Sequence, residues 1–220
     1  MNTGLNYTSY VCAGGVILLA DELSGADRQD GLDALLYAYT VASHKCPDFR
    51  AFGDWAQANK LAMRTLGGAL VNDSHGSFPA PLTGSFTLSE WLPQVVAKGV
   101  SASALTSLAD SLERISRQTS ASPSTELLRR HAVQQERWVR LQVAVMSTGT
   151  RMTVFTIAFE YGEPVAGNLA AQRFQAAKVN ANVAVSGYQA LVEREDYDLS
   201  RATIISLLGE RRQEQVVALH

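Results

Sequence analysis

The chain has 220 residues, 46% hydrophobic and 18% charged, and its 19 basic and 21 acidic side chains leave a net charge of -2. That composition is too apolar for a disordered chain and long enough to bury a sizeable core, and the near-balance of charge excludes a global field that would draw the protein to nucleic acid. Its two cysteines, Cys12 and Cys46, are too few for a disulfide-built scaffold and read as free thiols.

The start of the chain lacks a basic region followed by a continuous apolar core, so the expectation is synthesis in the cytoplasm, with export by a signal-independent route left open. Periodicity alone does not assign the apolar run from Tyr7 to Leu23, around Gly14 and Gly15, to helix or strand, and its uncharged part, about Tyr10 to Ala20, is too short for a membrane span. Leu32, Leu35, Leu36 and Tyr39 then fall on one helical face, and that helix stops before Pro47. Asp48 is placed to cap a second helix, which carries Trp55 and Met63 and ends at Gly67 and Gly68. The stretch from Asn72 to Phe86, rich in Gly, Pro and Ser, reads as the longest loop.

Thr87 and Glu90 form a capping-box signature ahead of Trp91, Leu92, Val95 and Val96, and a further amphipathic helix carries Leu105, Leu108, Leu112 and Ile115. A polar connector, Gln118 to Ser124, precedes a helix opened by Ser122 and Pro123. Next come two β-rich runs, Trp138 to Met146 and Arg151 to Tyr161, joined at Gly149 as a hairpin. In the first, Val139, Leu141, Val143 and Val145 alternate with Trp138, Arg140, Gln142 and Ala144, which gives it one apolar face. The second is apolar on both faces, so the aromatic side, Phe155, Ile157 and Phe159, must be covered by its own helices or by a partner. A third strand around Val183 and a final helix from about Leu199 to Gln213 complete the reading.

The expected architecture is therefore a single α+β domain over 1–220. An N-terminal helical bundle (1–135) packs on a C-terminal antiparallel sheet of three or more strands with a closing C-terminal helix (136–220).

No motif fixes a chemistry. A Lys-Ser/Thr phosphate loop, a dinucleotide fingerprint, His-Glu-x-x-His, Cys-x-x-Cys and a nucleophile elbow are all missing, so the sequence calls for no cofactor and no metal, and it leans away from an enzyme. Weaker features remain. Cys46, beside His44 and Lys45, is a candidate nucleophile, though a cysteine tucked at a helix end accounts for it more simply. His75 and Asp73 are a candidate base and its neighbour, against the simpler reading of a side-chain turn. Between Ser111 and Arg151, seven arginines face three glutamates, a local excess of four that marks Arg129, Arg130, Arg137 and Arg140 as candidates for phosphate, carboxylate or an acidic surface.

Three functions follow in order. The first is a non-enzymatic interaction or assembly protein that holds a protein partner, or another copy of itself as a homo-oligomer, through Trp138, Phe155 and Phe159. The second is a membrane-active effector or toxin-type protein. The third is a small hydrolase or transferase centred on Cys46 or His75.

Overall fold

The computed structural model describes residues 5–78, 84–147, 151–165, 167–192 and 194–219, with 69, 71–78, 181 and 182 described by their backbone alone. In chain order the elements are β1 (Tyr7–Cys12), β2 (Gly15–Ala20), α1 (Gly25–Lys45), α2 (Phe52–Thr65), β3 (Gly68–Phe78), β4 (Ser85–Phe86), α3 (Leu88–Val96), α4 (Ala102–Ser116) and α5 (Pro123–Ala132). They continue with β5 (Val133–Gln134), β6 (Trp138–Met146), β7 (Arg151–Tyr161), β8 (Phe174–Gln175), β9 (Val179–Val192), α6 (Arg194–Leu208), α7 (Arg211–Glu214) and β10 (Val216–Leu219).

These elements overturn the expectation of a helical bundle followed by a sheet. Helices and strands interleave, and one eight-stranded sheet runs β10-β1-β2-β6-β7-β9-β3, with β5 added beside β6. It is mixed rather than antiparallel, because β2 lies parallel to β6 with Val16 opposite Val143. Two stretches account for the difference, one that periodicity leaves unassigned and one that reads as a loop. The run from Tyr7 to Leu23 is a β-hairpin that turns at Ala13, whose φ is +47°, so the first strands enter the sheet centre. The supposed loop from Asn72 begins as strand: β3 pairs antiparallel with β9 from Gly68 to Phe78, because an edge strand needs only one partner and tolerates Asn, Asp, Ser and Gly there. The chain closes on β10 against β1, after α6 and α7, rather than on a helix. The Gly149 turn lies outside the described residues.

Helices cover both faces of the sheet. On one face Val139, Leu141, Val143, Val145, Ile157, Phe159 and Tyr161 pack with side chains of α3, α4 and α5. On the other, Ile17, Leu19, Ala144, Met146, Met152 and Val154 pack with α1, α2 and α6. The cover over the aromatic strand face thus comes from the same chain: Phe159 meets Trp91 edge-on at 6.3 Å and Phe174 at 5.4 Å.

Local signals explain several helix ends. Thr87 and Glu90 make the reciprocal capping box, and Gly67, at φ +79°, terminates α2 in the left-handed region. Asp48 does not cap α2. Its carboxylate accepts instead from the Arg50 amide at 2.9 Å, folding a tight turn before the helix begins. No helix among the described residues is long and apolar enough to cross a membrane.

Candidate functional site

A cleft of about 260 Å³ opens where the end of α1, the loop at Pro47 and Phe49, and the α5–β5 junction meet over the start of β6. Its walls include Tyr39, Ser43, Pro47, Phe49, His131 and Arg140.

Arg140 stands on β6 on the face that α1 and α2 cover, and it is only 1% exposed. The strand is aimed by a tight turn in which Gln135 and Glu136 both take positive φ, +52° and +58°, the mirror-image turn that matches strand twist. Two aromatic rings hold the guanidinium: its carbon lies 3.9 Å from the centre of Phe49 and 4.4 Å from the centre of Trp55. Each such contact contributes about 0.5–2 kcal/mol. Its hydrogen bonding is incomplete. Nη2 donates to Ser43 Oγ at 3.3 Å, whereas Nε and Nη1 are buried with no partner. Among the described residues no carboxylate forms an ion pair with it.

Neighbouring groups complete the wall. Ser43 Oγ accepts from Trp55 Nε1 at 3.1 Å as well as from Arg140, which occupies both lone pairs and leaves the hydroxyl hydrogen to donate. Tyr39 Oη donates to the His131 carbonyl at 2.6 Å. Gln134 clamps the loop, donating to the Pro47 carbonyl and accepting from the Phe49 amide, both at 2.9 Å.

Burial holds the Arg140 guanidinium below the usual arginine range, with Tyr39 and then Cys46 acting in the opposite sense. An arginine still carries its charge at neutral pH. Burial pushes the Tyr39 phenol up, so it stays protonated and its hydrogen remains on the His131 carbonyl. Burial, and then the Arg130 charge, push His131 down toward its neutral form. The site therefore presents one positive charge without a counter-ion, an Nε and an Nη1 of Arg140 without partners, and aromatic walls.

The four candidate arginines separate. Only Arg140 is buried. Arg130 lines the same cleft from its rim and pairs with Glu126 at 2.6 Å. Half-buried Arg129 approaches Glu136 at 3.9 Å, and Arg137 is exposed. Cys46 follows α1 and is half-buried beside the site. Asp73 and His75 lie on β3, where their backbones pair with Tyr188 and Ser186. Three strand spacings separate β3 from β6, about 14 Å. Phe159 is 3% exposed within the core, while Trp138 and Phe155 are half-buried. Sequence reasoning missed Phe49, Trp55, Tyr39 and Ser43 as companions of Arg140. The available signal was a lone charge on a strand otherwise flanked by apolar residues.

No group of three or more His, Cys, Asp or Glu among the described residues is placed to hold a metal ion. No protein-family model matches the chain, and no curated protein matches its sequence. Among solved structures, the Evf virulence factor is similar over 99% of this chain and 86% of its own, at 12% identity and a TM-score of 0.41. A likeness that coarse carries neither residues nor activity across.

Proposed function

We propose that the protein binds a small anionic ligand in the α1–β6 cleft, with Arg140 as its charge partner. The observation that supports this is the buried guanidinium whose Nε and Nη1 donate to nothing. Taking a cation out of water costs several kcal/mol, and each unsatisfied buried donor adds about 1–3 kcal/mol. Two ring contacts recover only part of that. An anion in the cleft supplies the missing counter-charge.

Calorimetric titration with acetate, benzoate and inorganic phosphate tests the reading. Saturable one-to-one binding by at least one anion is expected, weakened about 10-fold to 100-fold in Arg140→Met, as loss of a charge-assisted hydrogen bond implies. Circular dichroism monitors the fold of the variant. Equal binding by the native protein and Arg140→Met sinks the proposal.

A second reading, a surface for a protein partner or a second copy, is favoured by α6. There Leu199 is 87% exposed and Leu207 is 58% exposed on its outer side. Native mass spectrometry of the protein and of Leu199→Asp separates the two: a dimer lost in the variant supports association, and a monomer in both removes self-association.

A further inference from the structure

We infer that the ligand of the α1–β6 cleft is a small monocarboxylate with a flat apolar body; this rests on the anion-binding reading above. Three observations narrow the class.

The charge of the site matches a monoanion. Arg140 is its one uncompensated cation: Arg130 at the rim is already paired with Glu126, and His131 is pushed toward neutrality by its burial. A phosphate, which carries between one and two charges at neutral pH, exceeds the single charge that Arg140 offers. A carboxylate balances it.

The walls match a flat apolar body. Phe49, Tyr39, Pro47 and Val133 line the cleft, and the imidazole of His131 meets the Tyr39 ring edge-on at 6.3 Å. Gln134 has its amide committed at both ends to the Pro47–Phe49 loop, so it contributes shape rather than a hydrogen bond. Rings gain from offset or edge contact with such walls. The volume, about 260 Å³, falls just below the range of roughly 300–1,000 Å³ that holds drug-sized molecules, which limits the body to about one ring.

The donors match a carboxylate. The Arg140 and Ser43 donors belong to side chains that reach the cleft wall from two directions, Arg140 from the sheet and Ser43 from α1. Two carboxylate oxygens carry enough lone pairs for all of them.

The experiment compares benzoate, acetate, benzamide and inorganic phosphate by calorimetry on the full chain. Benzoate should bind about tenfold or more tighter than acetate, from burial of its ring, and than benzamide, which has the same shape without the charge. It should also exceed phosphate. Phe49→Ala should weaken benzoate more than acetate, and Phe49→Leu should restore part of the loss, which separates a wall contact from general unfolding. Phosphate binding as tightly as benzoate, with the Arg140→Met loss intact, overturns the carboxylate assignment and leaves the anion site standing. Acetate equal to benzoate overturns the apolar body. No anion binding at millimolar concentration overturns both readings together.

Discussion

Arg212 reaches Asp33 through both Nε and Nη2, each at 2.9 Å, and Asp33 is 2% exposed. Two more pairs lie along the same side of α1: Arg201 holds Asp30 at 2.6 Å, and Arg194 holds Asp27 at 2.6 Å. Spaced three residues apart, Asp27, Asp30 and Asp33 fasten α6 and α7 onto α1. The three differ in burial, and so in what they contribute. Arg212→Ala strands a buried carboxylate and should cost about 3–5 kcal/mol. Arg194→Ala, whose side chain is 61% exposed, should cost about 0–1 kcal/mol. Urea unfolding of both variants measures the difference; equal losses would contradict the assigned roles.

Arg140→Met removes an uncompensated buried cation while keeping an unbranched side chain of similar reach. In buffer free of binding anions the melting temperature should hold or rise, equivalent to about 0–2 kcal/mol of added stability. Arg140→Ala, by contrast, empties space beneath Phe49 and Trp55 and should lose about 2–4 kcal/mol. A loss in the methionine variant as large as that of the alanine variant would show that the ring contacts outweigh the missing partners.

Gly14 is needed because two groups occupy the place of a Cβ. A methyl there would collide with the Tyr39 hydroxyl and lie 2.9 Å from the His131 carbonyl oxygen. Gly14→Ala should therefore break the Tyr39–His131 hydrogen bond and destabilise by about 1–3 kcal/mol. Tyr39→Phe removes the nearer obstacle, so the double variant should be less destabilised than the sum of the singles. A double-mutant cycle in urea reads this coupling, and strict additivity refutes it.

Stability should depend on His131 at mildly acidic pH. Its folded pKa is depressed, by burial first and by Arg130 second, so on acidification the unfolded chain takes up the proton before the folded one. Its contribution is complete above the unfolded value, about 6.5, and is lost as pH falls through the lower folded value. Urea midpoints should fall between about pH 7 and pH 5, and His131→Gln should flatten that part of the profile. An unchanged slope in the variant would move the effect to another group.

Cys12 is 3% exposed and burial, then Asp33, pushes its thiol up to about 12. Thiolate is the reactive form, so Cys12 should resist iodoacetamide until the protein unfolds, while half-buried Cys46 is modified first. Peptide mass spectrometry after timed alkylation distinguishes the two. Native-state labelling of Cys12 at the rate of Cys46 would show that β1 opens locally.

Alternation within β6 and β7 told which residues share a face, and that part of the sheet was legible. It did not tell what lies over a face. Arg140 and Gln142 fall on the side without the valines, and α1 and α2 cover it; a strand pattern reports periodicity and not the neighbour supplied by distant chain. The strand character of Asn72 to Phe78 was hidden for a related reason: residues poor in intrinsic strand preference are held there by pairing with β9. Arg140 was visible among four arginines. Its separation from Arg130 and Arg137 was not, since Phe49 and Trp55 reach it from a distant part of the chain.

The parallel pairing of β2 with β6 sets an order of assembly. Everything from residue 21 to residue 137 must be made before β2 meets the strand beside it, and β1 waits for β10, which begins at Val216. During synthesis the hairpin emerges before its sheet partners, with both edges bare and its apolar side chains uncovered, a state that invites pairing with another copy. Such remote partners make closure of the sheet slow relative to helix formation. Newly made protein should thus depend on chaperones more than the finished molecule's packing suggests.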